Sequence, residues 1–196
     1  MDDLSDIGEG QTRLDPNESA GLIPAAITRE DLNTYEYENI AKARARVLNP
    51  RTFARADIFE EGFVCTLHKN MFGDVWRWAG QYRTTQKNIG IEAKDIRHSL
   101  YLTLDDAKFW SENKTYNAHE IAVRLHHRLV AIHLFPNGNG RHARLMADVV
   151  VAKAQATPLT WGVGMKSANK KIRKSYIDAL RTADAGDIAP LLDFSI

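Results

Sequence analysis

His133-Leu134-Phe135-Pro136-Asn137-Gly138-Asn139-Gly140-Arg141-His142-Ala143-Arg144 sets a glycine-rich loop between two apolar stretches, and the reading of those stretches decides the fold. Upstream, Ile121, Leu125, Leu129 and Ile132 recur at helical spacing within residues 118–132, one face of an amphipathic helix. Downstream, residues 141–154 are nearly all apolar apart from their first turn, which predicts a helix buried on most sides. Gly138 and Gly140 lack the side chains that would hold a ligand off the backbone. The helix that follows offers unpaired amide N–H groups and the positive end of its dipole. The loop reads as an anion cradle. Arg141 and Arg144 are three apart and share a face of the first turn, where cations are disfavoured unless an anion or carboxylate compensates them. Two guanidinium forks there can hold neighbouring phosphates bidentately. The alternative is an ordinary turn whose arginines are salt-bridge partners. His133, with an unperturbed pKa near ~6.5, lies within reach of a substrate on the loop and can take a proton from a hydroxyl; otherwise it is a structural histidine.

Working outward, the spacing predicts a helix over 28–47, with Leu32, Tyr35, Asn39, Ala43 and Arg46 on one face and Thr28 with Asp31 as a capping pair. A second is expected over 52–72, carrying Ile58, Val64, Cys65, Leu67, His68 and Met71, with Trp76 and Trp78 as core beyond Gly73. Further helices are expected over 96–110, over 167–181 as a basic amphipathic segment, and over 188–194. Residues 82–92 (YRTTQKNIGIE) give the only strand signal, a short hairpin or flap. The class is mostly α, a helical bundle with one short β-hairpin flap.

The 196 residues suit one domain with short appendages, divided here as an acidic segment 1–27, a helix 28–50 and a core 51–196. Net charge is +1, so no global field recruits nucleic acid or an anionic membrane, and neither is expected as a partner. Residues 1–20 hold six acids (Asp2, Asp3, Asp6, Glu9, Asp15, Glu18) against Arg13, a net of −5, leaving +6 on the remainder. A solvated tail is the expected form, because Gly8, Gly10 and Pro16 disfavour regular structure; a shield over a basic cleft is the alternative. One cysteine, Cys65, excludes an internal disulfide and any cysteine-built metal site. The acidic start and the lack of a long apolar run point to a cytoplasmic protein. His126 and His127 are consecutive and cannot form an i, i+4 zinc pair. Lys166, Lys170, Lys171, Arg173 and Lys174 read as a solvated helix face. His142 is expected at the site entrance.

The loop resembles the Fic motif, His-x-Phe-x-(Asp/Glu)-Gly-Asn-Gly-Arg-x-x-Arg, whose bearers transfer the AMP part of ATP to a protein hydroxyl. His133, Phe135, Gly138, Asn139, Gly140, Arg141 and Arg144 agree with it, while Asn137 stands where the family has an acid. Residues 80–85 (GQYRTT) with Asn88-Ile89-Gly90 resemble the family's substrate-aligning flap, so Thr84, Thr85, Asn88, Ile89 and Gly90 are its candidate residues. Gly21-Leu22-Ile23-Pro24, Glu38-Asn39-Ile40 and Pro136-Asn137-Gly138-Asn139 together resemble the subgroup called mobile mystery protein B. The resemblance implies that His133 is the base, that Asn139 with the Gly138 and Gly140 amides holds the α-phosphate, and that Arg141 and Arg144 hold the distal phosphates. It implies ATP as donor and Mg²⁺ beside it, with Asn137 a weakened Mg²⁺ ligand because a carboxamide brings no charge. A protein hydroxyl is the implied acceptor, self-modification is expected, and the subgroup implies a neighbouring helix-turn-helix regulator. Two other readings stay open: a weakly catalytic nucleotide-binding component of a toxin-antitoxin or regulatory system, and a phosphotransferase of the Doc branch.

Many Fic proteins place the Glu of a (Ser/Thr)-x-x-x-Glu-(Gly/Asn) helix against the second motif arginine. Thr34 to Asn39 matches with Glu38 as the inhibitory residue, and Ser5 to Gly10 matches with Glu9. Helix placement favours Glu38, which on that reading pairs with Arg144; a solvated helix acid is the alternative.

Overall fold

In the computed structural model, the described residues are 12, 14–25, 28–53, 56–162 and 170–196. Nine α-helices are formed among them: α1 (Pro16–Ser19), α2 (Arg29–Val47), α3 (Pro50–Phe53), α4 (Glu61–Phe72), α5 (Ile96–Glu112), α6 (Ala118–Ile132), α7 (Asn139–Lys153), α8 (Lys170–Asp184) and α9 (Ala189–Ser195). The mostly α class expected from the sequence is the class observed.

The central pair is α6 packed on α7. Asn117 caps α6 by accepting the Glu120 amide at 2.9 Å, and its apolar stripe buries Ile121, Leu125, Leu129 and Ile132. The almost unbroken apolar run of α7 has the expected consequence: Ala143, Leu145, Met146, Ala147, Val149, Val150 and Val151 are all buried. Around this pair, α5 packs on α6, α4 joins α2, and α8 joins α9. The capping box foreseen at the start of α2 is present, with Thr28 Oγ1 accepting the Asp31 amide and Asp31 accepting the Thr28 amide.

Three elements depart from the sequence reading. The helix expected over 52–72 is interrupted, because the Asp57 carboxylate accepts the Phe59 amide at 3.0 Å, a local turn that competes with helix, and α4 starts only at Glu61. Residues 82–92 form no hairpin, and the one β-bridge among the described residues joins Leu22 to Trp76. The flap pairs elsewhere: the Arg83 amide donates to Leu134 and the Ile91 amide to Ile132, so its backbone lies along the end of α6 instead of along itself. Residues 14–25, read as part of a solvated tail, are packed. Pro16 opens α1, where a proline is favourable, and Asp15 and Glu18 reach the flap. Among the described residues, no helix is long and apolar enough to cross a membrane.

Candidate functional site

The loop 133–138 is held by its own backbone and by three buried side chains. Asn139 Oδ1 accepts the Phe135 amide at 2.9 Å, and Asn139 Nδ2 donates to the Phe135 carbonyl at 2.8 Å. Its side chain therefore staples the loop instead of facing a phosphate, which departs from the role implied by resemblance. Phe135 is fully buried, stacked on His68 with ring centroids 3.7 Å apart and edge-on to His142. His68 donates from Nε2 to the Asn137 carbonyl and accepts the Gly80 amide on Nδ1, both at 3.0 Å, so two backbone groups fix its neutral tautomer. His142 lies in the interior, donating to the Val64 carbonyl at 3.0 Å, and not at the site entrance, because its place on the first turn of α7 points it at α4. Gly138 has a φ of +80°, and a Cβ there would stand 2.5 Å from the Phe72 ring. Only glycine lets the chain turn into α7 against that ring.

The amides of Asn139, Gly140 and Arg141 find no acceptor among the described residues. They open a 15-residue helix and leave a cradle for an anion. The two arginines of that turn are spent differently. Arg141 Nη1 meets Glu36 Oε2 at 2.5 Å and lies over the Phe72 ring, with 36% of its side chain exposed against 5% for Glu36. Arg144 lies over the Tyr176 ring, supplied by α8, and pairs with no carboxylate among the described residues.

The carboxylate at the site is thus Glu36 and not Glu38. Glu36 accepts the Trp76 indole N–H at 2.7 Å on its second oxygen and is buried. The buried face of α2 runs Leu32, Glu36, Asn39, Ala43 and Val47, one position away from Tyr35 and Arg46, which are exposed. Glu38 is exposed beside Lys42 and Tyr35, and its neighbour Asn39 bonds to Asn70 and Asp74. Thr34 bonds to the Glu30 carbonyl within its own helix. The second pattern match, Ser5 to Gly10 with Glu9, lies outside the described residues. The signal missed was an acid in line with Leu32, Ala43 and Val47 on the buried helical face, which calls for a buried cationic partner.

His133 closes α6 with a left-handed φ of 58°, a conformation that non-glycine residues hold only when their surroundings impose it. Arg83 imposes it. Its fully buried guanidinium donates to the carbonyls of His133 (2.6 Å), Thr85 (3.0 Å), Ile132 (3.3 Å) and Ile91, tying the flap to the C-terminal end of α6. Gly90 comes so close that a Cβ on it would lie 2.6 Å from the His133 Cβ. Burial, and then the Arg83 charge, lower the His133 pKa to about 4, so the imidazole is neutral at physiological pH. Its Nε2 lies 2.7 Å from the hydroxyl of Thr12. On the flap, Thr84, Thr85, Asn88, Ile89 and Gly90 are exposed, and Thr85 donates to Asp15 at 2.5 Å.

Asn137 does not fit the part of a metal ligand. Its carboxamide oxygen is taken by the Gly138 amide at 2.5 Å, and no cluster of three or more acidic, His or Cys side chains suited to a metal ion occurs among the described residues. The loop supplies an anion site and no carboxylate for Mg²⁺.

Residues 58–151 match the sequence model of the Fic/DOC family. The chain is similar to the protein adenylyltransferase Fic of Aedes aegypti, 25% identical over 78% of this chain and 30% of that protein. It is also similar to protein adenylyltransferase fic-1 of Caenorhabditis elegans, 27% identical over 94% of this chain and 35% of that protein. It spans about a third of the length of these curated relatives. Among solved structures, Fic-1 of C. elegans superposes with a TM-score of 0.65 at 23% identity, covering 91% of this chain and 51% of that one. The BepC protein of Bartonella tribocorum with bound AMPPNP does so with 0.65 at 16% identity, covering 92% and 96%. These likenesses establish the Fic fold.

Proposed function

We propose that this chain, whose residues 58–151 match the Fic/DOC family model, moves AMP from ATP to a protein hydroxyl. The observation that carries the reading is a loop with a neutral imidazole at one end and three acceptorless amides beside two arginines at the other. In the proposed reaction, the amides of Asn139, Gly140 and Arg141 hold the phosphates, and Arg144 and Arg141 offset the charge gathered on the leaving pyrophosphate. His133 Nε2 takes the proton of the attacking hydroxyl. The flap, locked to α6 by Arg83, presents an extended acceptor segment to the loop. The relatives named as protein adenylyltransferases support this activity, and the Bartonella structure with bound AMPPNP supports a nucleotide at this fold.

Intact-mass spectrometry after incubation with ATP and Mg²⁺ tests it. The expected result is added AMP. Added phosphate would favour the Doc-type reaction, and no addition would favour a nucleotide-binding component with little catalysis. A helix-turn-helix regulator as partner rests on the subgroup resemblance alone.

The Glu36–Arg141 pair is proposed as the brake that the sequence assigns to Glu38. A phosphate and a carboxylate compete for one guanidinium, and Glu36 holds it when no nucleotide is bound. Glu36→Ala is expected to tighten ATP binding about tenfold, the worth of one charge-assisted hydrogen bond, and to raise transfer. Titration calorimetry with an ATP analogue checks this, and unchanged affinity would contradict it. Glu38→Ala is expected to leave both properties as they are.

Mg²⁺ is proposed to arrive held by the nucleotide's own phosphates. An aspartate at position 137 can keep the Gly138 amide on one oxygen and turn a charged second oxygen outward. Asn137→Asp is therefore expected to lower the Mg²⁺ concentration that gives half-maximal transfer. An unchanged requirement would separate position 137 from the metal.

A further inference from the structure

We propose that Thr12 is the acceptor of adenylylation in cis, an inference that rests on the transfer reading above. Its hydroxyl lies 2.7 Å from Nε2 of His133 in a residue only 8% exposed, and no other hydroxyl among the described residues bonds to that imidazole. In the tautomer that leaves Nε2 unprotonated, the hydroxyl donates to the nitrogen that is to receive its proton. The Thr85 and Thr34 hydroxyls are turned away, to Asp15 and to the Glu30 carbonyl.

The segment bearing Thr12 is fastened at the site. Three residues on, Asp15 accepts Thr85 Oγ1 at 2.5 Å and Lys87 Nζ at 2.9 Å, and Glu18 takes the same ammonium at 2.5 Å. The Lys87 side chain is 3% exposed, so both acids reach a charge otherwise shut away from water. The hydrogen bond from Thr85, and then Lys87, hold the Asp15 carboxyl below the usual carboxylate range, which keeps that carboxyl ionised. The Trp78 indole N–H donates to the Glu18 carbonyl at 2.9 Å, and backbone bonds from Ile23 to Val75 and from Arg77 to Gly21, each 2.9 Å, fix the chain beyond. Three residues from its anchor, Thr12 has a reach of about 10 Å, which confines the hydroxyl near the base and raises its effective concentration above that of a free protein.

In the step itself, Thr12 Oγ1 attacks the α-phosphorus of ATP and forms the new O–P bond. The bond to pyrophosphate breaks and pyrophosphate leaves with the electron pair. The hydroxyl proton passes to His133 Nε2, and the products are an AMP–threonine phosphodiester and pyrophosphate. No further reactant is required.

The test uses the full chain carrying Glu36→Ala, incubated with ATP and Mg²⁺ over a dilution series and mapped by peptide mass spectrometry. AMP is expected on the peptide that contains Thr12, with a rate constant independent of protein concentration. Thr12→Val is expected to lose that label and Thr12→Ser to keep it. AMP on a different residue, or equal or heavier labelling of Thr12→Val, overturns the assignment of Thr12 and leaves the transfer reading standing. No AMP on any form, Glu36→Ala included, overturns both.

Discussion

Replacing His133 with alanine is expected to lower AMP transfer by about 10²–10⁴-fold while ATP binding stays within a small factor of the parent. The split follows from position. His133 ends α6, whereas the phosphate donors begin with the amides of α7 on the far side of the loop. Loss of the imidazole removes the proton acceptor and leaves the cradle. Because burial and the Arg83 charge hold its pKa to about 4, the imidazole is unprotonated from pH 6 to 8, and the transfer rate is expected to be flat over that range so far as this group governs it. Rates for parent and variant at saturating ATP, beside analogue binding by calorimetry, check both statements. Transfer at parental rate by His133→Ala would remove the residue from the mechanism.

The second large effect is on stability in mild acid. Four buried histidines carry lowered pKa values: His68 well below 6.5, His126 to about 3, and His133 and His142 to about 4, in every case chiefly through burial. The unfolded chain binds protons on these groups near pH ~6.5, where the folded chain does not. Their contribution is therefore complete above about pH 6.5 and is lost as the pH falls toward the folded values of about 4 and 3. Each unit costs about 1.4 kcal/mol per histidine, so the roughly 1.5 units between pH 6.5 and 5 remove about 2 kcal/mol apiece, on the order of 8 kcal/mol for the four, comparable to the whole stability of many domains. Asp15 and Asp57, whose pKa values are lowered by the hydrogen bonds of Thr85 and Lys108, lose their contribution only at still lower pH. Urea unfolding at pH 7 and pH 5 measures the difference, and equal midpoints would contradict the buried neutral histidines.

Much of the fold was legible because the pattern and the packing agree. The stripe of α6 and the nearly unbroken apolar run of α7 are buried as their periodicity demands, and the Thr28–Asp31 box marks the start of α2. The hairpin was misread for a physical reason. Ile, Thr and Tyr record a preference for an extended backbone and say nothing of its partner, and here the partner is the end of α6, joined through Arg83. The carboxylate beside Arg141 was misplaced by two residues. A loose motif selected Glu38, whereas the face that reaches α7 passes through Glu36, and only the line from Leu32 through Asn39 and Ala43 to Val47 distinguishes them. His142 and Asn139 show a related limit: spacing puts both on the loop and first turn, but each turns inward to hold the backbone of its neighbours. Thr12 has no signature of its own, because its nearness to His133 arises from Asp15 and Glu18 meeting Lys87 across some 70 residues of chain.

A crystal structure with a non-hydrolysable ATP analogue decides whether the loop before α7 is a triphosphate site closed by a carboxylate. Phosphate oxygens are expected on the amides of Asn139, Gly140 and Arg141, with the α-phosphorus facing His133 and Arg141 released from Glu36. A nucleotide bound elsewhere, with the Arg141–Glu36 pair intact and those amides turned to solvent, would contradict it.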